Sequence, residues 1–233
     1  MARLGVLGAL LALGCADTRP DSPCGGFSSD GNLGWVDGCG RQRFFWGVNV
    51  VYKGPPWLPA ASAFDAKTSF TPDDAAFIRS WGCNAIRLGT MWPGVQPDSS
   101  ATVDKAYVGS LLGMVAFAGS EGVFSLLDAH QDVMSAQTCG EGLPGWAAAE
   151  FANGSTAFPL PLNSGVPYAL NGSGVPSPAD CAKLPWARYY VSDAVCRMSQ
   201  ALYSSGAAQF GTFWAAVAEA VTSAPASDPF VIA

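Results

Sequence analysis

The 233 residues predict an alternating α/β fold built on a parallel sheet of the kind that curls into a barrel. Three observations carry this. Apolar runs of strand length alternate with stretches of helical periodicity in the order strand, loop, helix, strand, loop, helix, strand, the rhythm of right-handed parallel crossovers. The loops that follow the strands are long, whereas the turns that follow the helices take one or two residues, an asymmetry that marks barrels with their chemistry on one face. The strand candidates are also apolar nearly throughout, as strands covered on both faces are.

Residues 17–42, rich in Gly, Ser, Asp and Cys, read as an irregular N-terminal segment. The first strand is expected over Arg43–Val51, where Phe44, Phe45, Trp46, Val48, Val50 and Val51 leave few polar breaks. Lys53-Gly54-Pro55-Pro56-Trp57 then opens a loop. A helix starts at Thr71, a good N-cap, with Pro72 in the first turn and Asp73 and Asp74 at the positive end of the helix dipole. Phe77, Ile78 and Trp81 form its apolar face and Gly82 ends it. Asn84–Leu88 is the second strand, and residues 89–100 are a loop carrying Trp92. Val103–Ser120 repeats apolar residues at helical spacing, and Val123–Leu127 is the third strand. Residues 129–185 are mostly loop, a length that is usually functional within a compact domain. Helical periodicity returns over Trp186–Tyr203 and Gln209–Val221, and Phe230-Val231-Ile232 would begin a fourth strand.

Composition narrows the function classes. Hydrophobic residues make up 49% of the chain, enough for a sizeable core, and charged residues only 13% with a formal net charge of −6. Sparse, scattered Lys and Arg on an acidic chain exclude nucleic acid as the expected partner. Residues 1–16 read as a secretory signal: Arg3, then the apolar Leu4–Leu13, then a small-residue cleavage site at Gly14-Cys15-Ala16. The expected compartment is extracellular, or a secretory or lysosome-like lumen. Six further cysteines agree with export. Cys24 with Cys39 would close a small loop, Cys139 with Cys181 would staple the long one, and Cys83 sits in a core-like segment as a free thiol. Asn153-Gly154-Ser155 and Asn171-Gly172-Ser173 have the form of glycosylation acceptors.

The stretch Leu126-Leu127-Asp128-Ala129-His130-Gln131-Asp132 is the chemical centre of the chain. It sets three ionisable groups and an amide at the end of a buried-looking strand, and His130 is the only histidine. A lone histidine is more often a core residue, but one at a strand end between two aspartates is less ordinary. A metal on Asp128, His130 and Asp132 is disfavoured, because one His and two Asp within five residues lack further ligands. Neither a metal nor a cofactor is expected.

These residues resemble a known family. Asn84-Ala85-Ile86-Arg87-Leu88-Gly89, with Trp92 five residues after Arg87, is similar to the second-strand signature of glycoside hydrolase family 5. Asp128-Ala129-His130-Gln131-Asp132 resembles the third-strand signature of its endoglycoceramidase branch. Gly47-Val48-Asn49-Val50 leading to Lys53-Gly54-Pro55-Pro56, the Trp92-Pro93-Gly94-Val95-Gln96-Pro97 loop and Gly142-Leu143-Pro144-Gly145-Trp146 point the same way. The resemblance covers residues 43–233. It implies a TIM (β/α)8 barrel that hydrolyses β-glycosidic bonds with retention, using an acid/base glutamate after strand four and a nucleophilic glutamate after strand seven. Such carboxyls lie about 5 Å apart. The branch cleaves between oligosaccharide and ceramide in glycosphingolipids, so a glycolipid or oligosaccharide is the implied partner, with peripheral membrane contact through the lipid.

By the same resemblance the Asn-Glu-Pro of the acid/base falls just past Ala233 and the nucleophile further on. The expected object is a barrel truncated after about three β/α units and the start of strand four. By itself it is expected to be inactive, and to fold poorly because its sheet edges are open.

The resemblance also gives roles to the residues present. Arg87 would hydrogen-bond the nucleophile and favour its ionised form. His130 would bind hydroxyls of the sugar beside the cleaved bond, Asp132 would accept hydrogen bonds from sugar hydroxyls, and Lys53 would reach another. Asp128 would orient Arg87 or His130 from the barrel interior. Trp92, Trp146 and Trp186 are candidates to stack on sugars, although packing is the commoner role of a single Trp. Glu141 is left without a role. The competing readings are a family 5 enzyme acting on glucans or steryl glucosides, and a non-catalytic sugar-binding product.

Overall fold

The structure, a computed structural model, describes residues 27–29, 31, 34–224 and 231–232. The signal expected at residues 1–16 and Cys24 lie outside these residues.

Chain order is β1 (Phe27–Ser29), β2 (Trp35–Asp37), β3 (Gln42–Arg43), β4 (Gly47–Val50), α1 (Pro72–Ser80), β5 (Ala85–Gly89), α2 (Trp92–Val95), α3 (Lys105–Ser120), β6 (Phe124–Asp128), α4 (Gly145–Phe151), α5 (Pro178–Cys181), α6 (Asp193–Leu202), α7 (Ala207–Ser223) and β7 (Val231–Ile232). Strands β4-β5-β6-β7 form one sheet in that order, every pair parallel. Sequential parallel strands with helical crossovers are the opening of a (β/α)8 barrel, here an open sheet with free edges at β4 and β7 among the described residues.

The helix ends follow local chemistry. The Thr71 hydroxyl accepts from the Asp74 N–H while the Asp74 carboxylate accepts from the Thr71 N–H, a reciprocal cap on α1. Asp104 caps α3 by accepting from the Ala106 and Tyr107 N–H groups at 2.9 and 3.0 Å. Helix α3 then buries Tyr107, Val108, Leu111, Met114, Val115 and Ala118 on one side and packs on β6.

Register assigns each strand residue a face. Val50, Leu88 and Leu127 stand side by side and are buried on the helix-covered face. Asn49, Arg87 and Leu126 stand side by side on the opposite face, the barrel interior, where Leu126 is 39% exposed. At the N-terminal end of that interior, Phe27, Phe45 and Phe124 pack with ring centroids 5.1 to 5.4 Å apart, and Trp35 meets Phe27 edge-on.

The structure corrects several expectations. The apolar run over Arg43–Val51 is not one strand. Arg43 ends an antiparallel ribbon, the chain turns through residues 44–46, and only Gly47–Val50 joins the parallel sheet. An unbroken apolar run gives no periodicity to mark such a turn. The described part of residues 17–42 is ordered as the ribbon β1-β2-β3, in which buried Asp37 accepts from the Arg41 N–H and pairs with the Arg41 and Arg43 side chains. The loop over 89–100 contains the short helix α2, and Trp186–Tyr203 divides into a 3-10 turn at Trp186–Val191 and helix α6.

Trp92 is only 2% exposed. Its N–H donates to Gln96 Oε1 at 2.8 Å, and its ring meets Trp146, Phe210 and Phe213 at 5.3 to 5.8 Å, joining α2 to α7. Cys139 and Cys181 form the expected disulfide, Cys83 is a buried free thiol, Cys196 is exposed and free, and Cys39 is disulfide-bonded.

The Cys139–Cys181 bond closes a loop across 42 positions, which by chain entropy stabilises the fold by about 4 kcal/mol at most. A Cys139→Ser/Cys181→Ser double variant is expected to unfold at markedly lower urea and to be cleaved first within residues 140–181 under limited proteolysis. An unchanged urea midpoint would show that the loop is held by its packing alone.

Candidate functional site

Because β4, β5 and β6 run parallel, the segments leaving them emerge on one face. The loop after β4 supplies Lys53, β5 carries Arg87 on the interior face, and β6 ends on Asp128. The chain then bends sharply, the His130 N–H donating to the Asp128 carbonyl at 2.7 Å, so His130 stays over the strand end. Asp132 pairs antiparallel with Glu141 through two backbone hydrogen bonds of 2.8 and 2.9 Å. Glycines permit this pairing. A Cβ on Gly140 would lie 1.8 Å from the Asp132 carbonyl oxygen, and Gly142 has φ +137° with Gln131 Cβ only 2.3 Å from where its own would sit.

Asp128 holds two partners with one carboxylate. Arg87 Nη2 donates to Oδ1 at 2.8 Å, and His130 Nδ1 lies 2.9 Å from Oδ2, with Arg87 Nη1 3.3 Å from the same ring nitrogen. A carboxylate only accepts, so the proton on the ring is assigned to Nδ1, and Nε2 turns toward the far side of the site. There it meets Asp132 Oδ2 at 3.6 Å and Glu141 Oε1 at 3.7 Å. Lys53 Nζ donates to Asp132 Oδ2 and lies 3.0 Å from Glu141 Oε1.

The charges are tuned by one another. Burial pushes the Glu141 carboxyl above its usual range; Lys53 opposes this and Asp132 adds to it. Burial would also raise Asp132, but hydrogen bonds from Lys53 and Glu141 outweigh it and hold that carboxyl below its usual range. For Lys53, burial favours the neutral amine, and its two carboxyl partners more than offset that, so its ammonium is held above the ordinary value.

Donor atoms of His130, Asp132 and Glu141 lie within 4.8 Å of one another, a set zinc can use. The ammonium of Lys53 stands on both carboxyls, however, and is the cation of this cluster.

The structure therefore brings together Lys53, Arg87, Asp128, His130 and Asp132. It does not bring the tryptophans. Trp92 is core, and Trp146 packs edge-on against it with its N–H on the Gln96 carbonyl at 3.0 Å, so packing takes both rings away from the expected sugar-stacking role. Trp186 is 56% exposed, against Tyr190. Glu141 is the member that sequence reasoning missed. Its available signal was the Gly140-Glu141-Gly142 triplet directly after Cys139, two glycines hugging one acid.

Replacing Lys53 by Met is expected to push Glu141 still higher and to release Asp132 from its depressed value, read by carbon-detected NMR of the carboxyls. The stability signs differ. Asp132 stabilises above its unfolded value of about 3.9 and loses that contribution as pH falls through its folded value. Glu141 stabilises below about 4.3 and loses that as pH rises through its folded value. Lys53 stabilises below about 10.4 and loses that as pH rises through its folded value. Unmoved Asp132 and Glu141 titrations in Lys53→Met would refute the coupling.

Residues 53–158 match Cellulase (glycosyl hydrolase family 5). The endoglycoceramidase of Hydra vulgaris is 40% identical over 171 residues, which is 73% of this chain and 32% of that protein. The endoglycoceramidase of Cyanea nozakii is 40% identical over 170 residues, 73% of this chain and 33% of that one. The chain thus spans about a third of the length of these relatives. Among solved structures, endo-glycoceramidase II from Rhodococcus sp. as its lactosyl-enzyme intermediate aligns with a TM-score of 0.58 at 22% identity, over 83% of this chain and 39% of that one. Cryptococcus neoformans sterylglucosidase 1 aligns with a TM-score of 0.58 at 20% identity, over 81% and 31%. At these identities the structural likeness is one of fold, that of the partial (β/α)8 barrel. Motifs, matched region and fold agree, and the chain belongs to glycosyl hydrolase family 5, in its endoglycoceramidase-like branch.

Proposed function

We propose that this chain forms the sugar-binding wall of a retaining glycosidase that cleaves the β-linkage between oligosaccharide and ceramide in glycosphingolipids. The observation that carries the reading is the continuous polar network Arg87–Asp128–His130–Asp132–Lys53–Glu141 on the face where the parallel strands end. Its likeness to endoglycoceramidases at 40% identity supplies the substrate class. Arg87, on the barrel interior, is placed to hold a nucleophilic carboxylate ionised; His130, Asp132 and Lys53 are the donors and acceptors for sugar hydroxyls. No described tryptophan among those expected offers a platform at this site, so the recognition proposed here is by hydrogen bonds.

Neither glutamate of the chemistry is assigned within these residues. Glu121, Glu141, Glu150 and Glu219 are each without the flanking Asn and Pro of the acid/base signature. The compartment proposed is an oxidising one, supported by the Cys139–Cys181 disulfide. Membrane contact is proposed only through the lipid substrate. No helix among the described residues is long and apolar enough to cross a membrane.

The purified chain is expected to bind lactose in saturation-transfer NMR, and His130→Ala is expected to weaken binding at least tenfold, about 1.4 kcal/mol. Lactosylceramide in mixed micelles is expected to yield no free lactose with this chain alone. Absence of lactose binding to the wild type would sink the assignment of the site, and release of lactose would overturn the placing of the chemistry outside these residues.

A further inference from the structure

Glu141 is the feature that the sugar-binding reading leaves unexplained. It is only 7% exposed, and its Oε1 faces the Lys53 ammonium at 3.0 Å on one side and His130 Nε2 at 3.7 Å on the other. His130 Nε2 is buried and has no hydrogen-bond partner among the described residues. Leaving buried Nε2 unpaired is costly, and the loop invests two glycines that its close approaches require, and a disulfide two residues earlier at Cys139, in keeping Glu141 beside it. A counter-charge for Lys53 needs none of this, since Asp132 already supplies one.

The geometry points to Glu141 as a specificity-determining residue: Glu141 Oε1 and His130 Nε2 together form a receptor for a single sugar hydroxyl. Two atoms 3.7 Å apart can each lie at about 2.8 Å from one shared oxygen, within ordinary hydrogen-bond range. With its ring proton on Nδ1, His130 Nε2 accepts from the hydroxyl, while the hydroxyl oxygen accepts from the protonated form of Glu141, which burial favours. A site built this way rejects a sugar that lacks the hydroxyl, because His130 Nε2 then stays buried and unpaired.

This inference rests on the sugar-binding reading above, and the test separates the two. The probes are lactose and its monodeoxy analogues, titrated into the wild-type chain and into Glu141→Gln and Glu141→Ala, with the His130 ring signals showing that the site stays folded. One analogue is expected to bind the wild type at least tenfold more weakly than lactose. In Glu141→Ala, lactose itself is expected to weaken to the level of that analogue, so that the discrimination at that hydroxyl disappears. Glu141→Gln, which keeps shape and hydrogen-bonding capacity, is expected to keep most of it. If lactose binds the wild type and Glu141→Ala discriminates among the analogues unchanged, the inference is overturned while the sugar-binding reading stands. If lactose does not bind the wild type, the reading fails and the inference falls with it.

Discussion

One carboxylate organises the site. Asp128 ends β6 with its oxygens divided between Arg87 at 2.8 Å and His130 at 2.9 Å. Arg87 comes from the neighbouring parallel strand, so this contact adds a side-chain tie to the strand ends beside the Thr90 N–H that donates to the Asp128 carbonyl at 2.8 Å. Asp128 also orders the ring of His130 by accepting a hydrogen bond from Nδ1–H, leaving Nε2 to face the other charged cluster. Without Asp128, two cation-type donors would stand beside each other at the rim with nothing to share.

The second cluster balances the first. Lys53 bridges Asp132 and Glu141, and burial holds the Glu141 carboxyl above its usual range. Arg87 pairs with Asp128 as Lys53 pairs with Asp132, so each cation of the rim meets a carboxylate. A rim whose cations are matched internally while leaving directed donors and acceptors suits a hydroxyl-rich ligand.

The framework around the rim explains how a long irregular loop can hold such detail. The Cys139–Cys181 bond anchors it from outside, the Asp132–Glu141 pairing stiffens it from within, and α2 and α7 clamp Trp92 and Trp146 beneath. Those aromatic rings contribute packing rather than stacking platforms: the site's precision depends on buried apolar area a short distance away. At the opposite end of the interior, Phe27, Phe45 and Phe124 fill the bottom and bind the N-terminal ribbon to the sheet.

Features written in local order were legible from residues alone. The Thr71 cap, the buried strands Ala85–Gly89 and Phe124–Asp128, and the placing of Arg87 on one strand and His130 just past the end of the other all depend on neighbours in sequence or on a periodicity that burial imposes. The break after Arg43, the ribbon Phe27–Arg43 and the burial of Trp92 were not legible, because each follows from contacts with residues far along the chain and an apolar run looks the same whether it bends, pairs or packs. Glu141 is the clearest case. In sequence it is one acid in a polar loop; only the close approach of Gly140 and Gly142 to residues 131–132 sets its carboxyl beside Lys53 and His130. Sequence determined which strands carry the chemistry, because hydrophobic periodicity is local. Tertiary structure decided which charged groups share protons and partners, because electrostatic coupling depends on distance through space.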